Sequence, residues 1–332
     1  MMDRRTALAA LGLTSAGFLG RRVAGDKTKQ VSDDLSGSFG QGITNSSDDK
    51  LRAILSRPGF SGQIPADEAK RLALGEGTTV DALMVELLPV ARTYSRPPLS
   101  SFQVGAVVRG TSGSLYLGAN IEMPGHALGL TVHAEQAALS NAYMHDDQGV
   151  AAIAVTAAPC GHCRQFMNEF EPDGEIQVLV GRNTAAKLSS LLPMAFGPKD
   201  LGLKHGAFPV SQVELTLPNG ASDAVTAAAL AAAQKSYAPY TKAHSGIAIG
   251  TKEGRVYRGS YLENAAFNPS LPPFQAALVA LLLAGESSSE ISKVVLVEVE
   301  GAPISQKSVT EAVLGAVAPG AKLRLLNATM RG

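Results

Sequence analysis

Apolar positions recur at helical intervals over residues 49–95, and this spacing predicts two pieces of helix. Asp48 and Asp49 are candidate caps for the first piece and Thr79 for the second, because short side-chain oxygens accept hydrogen bonds from the first free amides of a helix. Residues 26–48 are rich in Ser, Asp, Gly and Lys, a composition typical of a linker.

After Phe102 the pattern changes to that of strands. Apolar runs at residues 104–108 and 115–117 flank a turn at residues 110–113, which predicts a β-hairpin. Farther along, the spacing predicts a helix at about residues 131–143, a buried strand at 151–155, a helix beginning near Cys160 and a strand at 176–180. Strands that alternate with helices in this way favour an α/β fold, with helices packed on a mixed sheet.

Part of the chain is repeated. Residues 94–122 can be laid over residues 235–263 at one constant offset, and after a short deletion residues 136–139 fall on residues 275–278. The positions kept in register include turn glycines, a tyrosine and a glutamate: Gly105 and Gly246, Tyr116 and Tyr257, Gly118 and Gly259, Glu122 and Glu263. We therefore expect two copies of one fold.

The two copies differ in their reactive side chains. His133 falls on Pro272 and Glu135 falls on Phe274, and the second copy contains no cysteine. We expect the first copy to carry the chemistry and the second to have kept only the scaffold. The predicted domains are a leader and linker at 1–48, a catalytic domain at 49–190, a connector at 191–225 and a degenerate domain at 226–332.

Charge and the N-terminal segment limit the partners that we expect. The 332 residues carry 29 basic and 29 acidic side chains, whereas a protein that follows phosphate backbones normally has a basic excess, so no nucleic-acid partner is expected. Arg4 and Arg5 precede a mildly apolar run at Leu8–Gly20 that is too short for a membrane helix. We expect a cytoplasmic protein without membrane association; the alternatives are export through a twin-arginine-like leader at residues 1–25 and a disordered leader.

Both cysteines of the chain lie in one C-x-x-C motif. Taken alone, Cys160 and Cys163 could form a redox dithiol, a pair of buried thiols or part of a metal site. His133 and Glu135 at a predicted helix start favour the metal, because one imidazole and two thiolates leave the fourth tetrahedral position of a catalytic zinc open. Glu135 would then take a proton from the water held there, and H-x-E followed by P-C-x-x-C is the signature of zinc deaminases.

The remaining histidines need a separate interpretation. His162 lies inside the C-x-x-C motif and would be a fourth ligand in a closed structural site, which would leave Glu135 without a role. The other four histidines occur singly in polar or turn-like stretches and are expected to be surface or structural residues: His126, His145, His205 and His244.

These motifs, with several longer segments, resemble the cytidine deaminase family, specifically its long, two-domain, homodimeric form from enteric bacteria and plants. The resemblance covers roughly residues 50–330. It is carried by the segments SSFQVGAV (101–108), GANIE (118–122), TVHAEQAALS (131–140), AAPCGHCRQFMNE (157–169), AFGPKDL (195–201) and ENAAFNPSLPP (263–273). The resemblance implies a cytidine-deaminase-like mixed sheet with helices, duplicated as a catalytic and a degenerate domain.

The family also implies roles for individual residues. Asn120 and Glu122 match the pair that holds the ribose hydroxyls, Phe102 matches an aromatic residue beside the nucleoside, and Ala134 matches a residue whose backbone contacts the pyrimidine. For Phe102, the spacing by itself fits a core phenylalanine on a strand equally well. Three further residues match segments that close the pocket, partly from a neighbouring subunit: Phe196, Ala266 and Phe267.

The expected activity is zinc-dependent hydrolytic deamination of cytidine and deoxycytidine to uridine and deoxyuridine, with release of ammonia, in pyrimidine salvage. One Zn²⁺ per chain, a small nucleoside substrate and a homodimer are implied with it. One rival is a polynucleotide cytosine deaminase, which would need a basic groove and stacking aromatics. The other is a non-catalytic module stabilised by zinc, in which the open ligand position and Glu135 would have no use.

Overall fold

The computed structural model describes residues 57–171, 175–181 and 184–330. The predicted first helix over residues 51–55 and the leader therefore lie outside the described residues. The first half is built from β1 (Gln63–Ile64), α1 (Ala66–Gly75), α2 (Val80–Glu86), α3 (Leu88–Thr93), β2 (Gly105–Gly110), β3 (Leu115–Ala119), α4 (Ala134–Met144), β4 (Val150–Val155), α5 (Gly161–Phe170), β5 (Gln177–Val180), β6 (Thr184–Lys187) and α6 (Leu188–Leu191).

The second half repeats this succession with fewer elements. It consists of β7 (Leu215–Thr216), α7 (Ala224–Gln234), β8 (Ser245–Thr251), β9 (Val256–Ser260), α8 (Pro273–Leu283), β10 (Ile291–Val299), α9 (Lys307–Val317) and β11 (Lys322–Met330). Short 3₁₀ helices lie at Leu128–Leu130, Pro198–Leu201 and Ser288–Glu290.

Each half forms its own mixed sheet, and the two sheets share the arrangement of four of their strands. The first has the order β1-β3-β2-β4-β5-β6 and the second the order β7-β11-β10-β8-β9. In both, an antiparallel hairpin (β2–β3 or β8–β9) is followed by an antiparallel strand and then by a parallel one (β4–β5 or β10–β11). This equivalence confirms the α/β class and the duplication predicted from the repeat.

Two glycines of the repeat allow the same helix to press on the same strand in each half. A Cβ at Gly118 in β3 would lie 2.2 Å from the amide nitrogen of Ala138 in α4, and a Cβ at Gly259 in β9 would lie 2.2 Å from the amide nitrogen of Ala277 in α8. Only glycine avoids this clash, since a Cβ cannot approach backbone so closely. The repeat therefore preserves the distance between hairpin and helix.

The helix predicted to follow Thr79 is present but interrupted. Thr79 caps α2 by accepting a hydrogen bond from the amide of Ala82 at 3.1 Å. The predicted single helix is divided into α2 and α3 at Pro89, which is the second residue of α3. Proline is tolerated in the first turn of a helix but not in its interior, so a new helix begins just before it. Between the predicted pieces lies α1, which the apolar spacing did not predict.

Helix α4 lies in the middle of the core. Its residues from Ala134 to Tyr143 are all buried, including Glu135, Gln136 and Asn141. One side packs on β2 and β3 of its own sheet and another contacts α8 of the second half. Buried polar side chains at these positions need partners or a chemical role, because an unpaired buried polar group is costly.

Among the residues that the structure describes, we find no helix both long and apolar enough to cross a lipid bilayer.

Candidate active site

Local structure separates His133 from Glu135. His133 is the last extended residue before α4, with φ −83° and ψ 154°, and its amide donates to Oε1 of Gln136 at 3.1 Å. Its imidazole therefore enters from the segment in front of the helix, whereas Glu135 belongs to the first helical turn. This arrangement is the one predicted for the H-x-E motif, in which two residues on a regular helix could not face one ion.

Cys160 and Cys163 lie at the start of α5, directly after the buried strand β4. Cys160 is the N-cap residue, half-way between strand and helix, and Cys163 lies in the first turn with its side chain buried. The positive end of the helix dipole favours thiolate at this place. The N-terminal ends of α4 and α5 thus bring the histidine and the two cysteines together.

The three ligand atoms have the spacing of a tetrahedral zinc site. Nδ1 of His133 lies 3.6 Å from Sγ of Cys160 and 3.3 Å from Sγ of Cys163, and the two sulfurs are 3.5 Å apart. Bonds of about 2.3 Å to sulfur and about 2.0 Å to nitrogen at tetrahedral angles place two sulfurs about 3.8 Å apart and each sulfur about 3.5 Å from the nitrogen. The donor set and its geometry therefore fit zinc, with three protein ligands within 4.8 Å of one another.

Glu135 lies beside this cluster without belonging to it. Its carboxyl group is adjacent to the side chains of Cys163 and His133. Only 4% of the residue is exposed, and burial raises the pKa of the carboxyl above its usual range. A carboxyl that holds its proton more readily than a surface glutamate is suited to proton transfer near neutral pH.

The hydrogen bond between Cys160 and Cys163 shifts the pKa values of the two side chains in opposite directions. The hydrogen bond from Cys163 stabilises the thiolate of Cys160 and lowers the pKa of Cys160 to about 4. The same bond, together with burial, raises the pKa of Cys163. One thiolate is therefore already present at neutral pH as a ligand for a cation.

His162 is oriented differently from the three clustered residues. Its ring stacks on that of His133, with the centroids 5.2 Å apart and the planes 25° apart. Burial lowers the pKa of His162 and so favours its neutral imidazole. This contact gives His162 a packing role beside the ligand histidine.

The predicted ribose pair is held by the loop that follows α3. Glu122 accepts hydrogen bonds from the amides of Leu99 and Ser100 at 2.8 and 3.0 Å and from the hydroxyl of Ser100 at 2.5 Å. These bonds lower the pKa of Glu122. Asn120 is buried; its carbonyl accepts from Ser95 and Val104, and its amide donates to the backbone of Phe102.

Phe102 and Ala134 differ in exposure. The residue Phe102 is 60% exposed, on the segment just before β2, so it is not the core phenylalanine that its spacing also allowed. Ala134 is 1% exposed, as the first residue of α4 between His133 and Glu135. Its location between these two side chains places its backbone next to the metal cluster.

Phe196, Ala266 and Phe267 lie together on another side of α5. Phe196 and Phe267 are 47% and 62% exposed. The side chain of Gln165 donates to the carbonyl of Phe196 at 2.7 Å and to Oδ1 of Asn264 at 3.3 Å, and Asn264 in turn accepts from the amide of Ala266. Since Gln165 follows Cys163 by two positions, about 200° around the helix, this group faces away from the cysteine.

Sequence reasoning missed the polar residues that tie the halves together around the site. Gln136 accepts from His133 and donates to the carbonyl of Pro269 at 3.0 Å, and Asn264 donates to the carbonyl of Gln165. Gln136, Gln165 and Asn264 all lie inside segments that resemble the family. Their partners belong to the opposite half, however, so no local spacing identified them.

Family models match both halves of the chain. Two models described as "Cytidine and deoxycytidylate deaminase zinc-binding region" match residues 78–179 and 188–311. The first of these ranges contains the His133–Cys160–Cys163 cluster. The class that fold and site define is thus that of zinc-binding deaminases.

Curated relatives specify the family. A cytidine deaminase of Vibrio vulnificus is 45% identical over 269 residues, which are 81% of this chain and 90% of the relative. One from Sodalis glossinidius is 42% identical over 80% of this chain and 90% of its own length. A solved cytidine deaminase from Burkholderia pseudomallei matches 35% of this chain and 98% of its own, with 32% identity and a TM-score of 0.32. The chain belongs to the cytidine deaminase family, in its long two-domain form.

Proposed function

We propose that the chain catalyses the zinc-dependent hydrolytic deamination of cytidine and deoxycytidine, giving uridine or deoxyuridine and ammonia, as a step of pyrimidine salvage. The observation that carries the proposal is the buried carboxyl of Glu135 next to three ligand atoms with tetrahedral spacing. Family membership supports the substrate, since the relatives are named as cytidine deaminases.

In this proposal His133 through Nδ1 and the thiolates of Cys160 and Cys163 hold one zinc ion per chain. When bound, the ion lowers the pKa of a water molecule to about 7 and so supplies a nucleophile. The three ligands are fixed by the ends of α4 and α5, and Gln136 fixes the entry of His133 through its backbone amide at 3.1 Å.

Glu135 is proposed to move the proton. Its carboxylate takes a proton from the attacking water and gives it to N3 of the pyrimidine. After the new C4–O bond has formed, the proton of the C4 hydroxyl passes through the same carboxylate to the exocyclic nitrogen. The C4–N4 bond then breaks, ammonia leaves and the C4 oxygen becomes the carbonyl of uracil. Burial supports the transfer from water because it raises the pKa of Glu135 and so makes its carboxylate a stronger base.

The nucleoside is proposed to lie along the segment from Phe102 to Ala134. Exposed Phe102 offers its ring to the nucleoside, and the backbone of Ala134 contacts the pyrimidine. Glu122 and the remaining N–H of the Asn120 amide address the ribose hydroxyls. Glu122 would have to exchange its bond from the Ser100 hydroxyl for one from the sugar.

A homodimer would use Phe196, Ala266 and Phe267. The segments that carry these residues contact α5 at Gln165, on the side of the helix that faces away from Cys163. We therefore propose that they close the pocket of a second copy. The exposure of Phe196 and Phe267 supports such an interface, since large exposed aromatics are frequent at contacts between proteins.

The domain limits and the location of the protein also remain proposals. We propose the catalytic domain at 49–190, a connector at 191–225, and the degenerate domain at 226–332, preceded by the leader and linker at 1–48. A cytoplasmic location follows from the nucleoside substrate, and fusion of residues 1–48 to a reporter enzyme tests it against export.

The decisive assay follows the loss of cytidine absorbance in the ultraviolet with purified protein, before and after treatment with a zinc chelator. We expect turnover that the chelator abolishes and added zinc restores. Single-stranded DNA or RNA containing cytosine serves as the second substrate. Turnover of the polynucleotide but not of cytidine, or bound zinc without turnover of either, would overturn the proposal.

A further inference from the structure

Helix α5 has a polar face in addition to the face that carries the cysteine ligands. Gln165 and Glu169 are four positions apart and therefore lie one above the other. Both contact the second half of the chain. Gln165 binds Asn264 in both directions, donating to its Oδ1 and accepting from its Nδ2.

Glu169 makes the most concentrated contact between the halves. The residue is fully buried, and its Oε1 accepts from the hydroxyls of Tyr237 and Tyr240 at 2.7 and 2.5 Å. Its Oε2 accepts from the amide of Ala265 at 2.8 Å. The three donors all come from the second half. A buried carboxylate is tolerated only with such partners.

The bond to Ala265 has a specific consequence for the loop that follows. Ala265 is buried, whereas Ala266 and Phe267 directly after it are exposed, and Phe267 has a left-handed φ of 61°. A bulky residue adopts this backbone conformation only when its surroundings hold it there. The Ala265 amide bound to Glu169 ties this loop to α5, whereas the amides of Ala266 and Phe267 both donate to Asn264 within the second half, the latter to its carbonyl at 2.8 Å.

We infer that Glu169 is a positioning residue for nucleoside binding: through Oε2 it holds the Ala265–Phe267 loop in the conformation that presents Phe267 to a pocket. The inference rests on the proposed function for its kinetic consequence. The role of Glu169 is separate from the chemistry, because its bonds lead from α5 to the second half and none of them reaches His133 or Glu135.

The two carboxylate oxygens allow the role to be tested one bond at a time. In Glu169→Gln only one oxygen remains as an acceptor; when it accepts from the two tyrosines, the new NH₂ group faces the Ala265 amide and cannot accept from it. Tyr237→Phe and Tyr240→Phe are the matched controls, since each removes a hydrogen bond from the same carboxylate and leaves the bond to Ala265 intact.

For Glu169→Gln we expect KM for cytidine to rise about tenfold, with kcat within about twofold of the unmodified chain and zinc content unchanged, because the loss is one of binding and not of chemistry. The tyrosine variants should change KM less than about threefold. Gln165→Ala, which buries no charge, should raise KM in the same way if Glu169→Gln does not fold. An equal KM in Glu169→Gln and the tyrosine variants, or a fall in kcat alone, overturns the inference.

A second readout does not depend on turnover. The chain contains no tryptophan, so Phe267→Trp places a single fluorophore on the loop. We expect Glu169→Gln to lower the fluorescence anisotropy of this tryptophan, and Tyr240→Phe to leave it unchanged. Unchanged anisotropy in Glu169→Gln overturns the positioning role. A protein without cytidine turnover but with the expected anisotropy change would refute the proposed function and leave the loop anchor standing.

Discussion

Helix α4 of the first half and helix α8 of the second half occupy the same place behind the same hairpin. In the first half this place begins with His133 and carries Glu135 in the first turn, and in the second it has Pro272 and Phe274. Phe274 is fully buried, so the position that holds a proton carrier in one half fills the core in the other. The fold therefore needs only a side chain that packs at this position, whereas the proposed proton transfer needs Glu135.

The halves agree, by contrast, at the glutamate of their shared loop. Glu122 accepts from the amides of Leu99 and Ser100, and Glu263 accepts from the amides of Tyr240 and Thr241 and from the hydroxyl of Thr241. The second half keeps these bonds without the three-ligand cluster of the first. The glutamate therefore stabilises the loop in both halves, and any role of Glu122 with ribose is added to that structural one.

A further difference concerns the outer edge of each hairpin. In the first half β1 pairs with β3, and the carbonyl of Gly62 accepts from the backbone amide of Leu117 and from the side-chain amide of Asn141. The equivalent edge of β9, at Val256–Arg258, borders a cavity of about 240 Å³ between the halves. The hydroxyl of Ser140 is buried in the wall of this cavity and has no hydrogen-bond partner among the residues that the structure describes.

The largest expected effect is the loss of zinc and turnover on replacing a cysteine of the C-x-x-C motif, compared with replacing the histidine inside it. Cys163→Ala leaves two protein ligands, so we expect loss of bound zinc and of cytidine turnover together. His162→Ala is the control and should keep zinc, because the His162 ring stacks on His133 and is not one of the three clustered ligands. Metal analysis and the absorbance assay measure both. Loss of zinc in His162→Ala equal to that in Cys163→Ala would favour a closed four-ligand site.

Glu135→Gln should have the next largest effect. We expect zinc to be retained and turnover to fall by about 10²–10⁴-fold, the usual contribution of general acid–base catalysis. The matched change in the second half is Phe274→Leu at the equivalent buried position, which carries no proton and should leave kcat unaltered. Near-normal turnover in zinc-loaded Glu135→Gln would contradict the proposed proton transfer.

Glycine substitutions compare the scaffold of the two halves. Gly118→Ala and Gly259→Ala each force a Cβ against helix backbone, so each should lower the free energy of unfolding by about 1–3 kcal/mol. Only Gly118→Ala displaces α4 and should also reduce turnover. Denaturant unfolding and kinetics test this pair, and equal kinetic losses from both would show that the second half takes part in the chemistry.

The smallest expected effect concerns the cavity. Ser140→Ala removes a buried hydroxyl that has no partner, so the free energy of unfolding should change by less than about 1 kcal/mol. Asn141→Ala removes the donor to the carbonyls of Gly62 and Leu117 and should cost about 1–3 kcal/mol. A large loss in Ser140→Ala would mean that the hydroxyl has a partner in the assembled protein.

Local patterns predicted the part of the site that depends on local structure. Cys160 caps a helix after a buried strand and His133 precedes another helix, and strand and helix signals make such places visible in a sequence. The repeat predicted the shared topology, since the glycines of close approach recur in register. The division of the helix after Thr79 was not predicted, although Pro89 is a signal for a helix break.

The contacts between the halves could not be predicted in the same way. Glu169 ends a segment that resembles the family, but its three donors lie about seventy to a hundred residues farther along the chain. Periodicity reports which face of a helix is apolar and is silent on which distant polar group it meets. Glu169 four positions after Gln165 is a local sign of a polar helix face, but this spacing does not name the partner.

The central claim is that one half holds the metal and the other supports it. The most direct measurement is the zinc content of the purified full chain, taken together with its rate of cytidine deamination during titration with a chelator. The account predicts one zinc per chain and a rate that falls in proportion to the zinc removed. Two zinc ions per chain, or full turnover after complete removal of zinc, would contradict it.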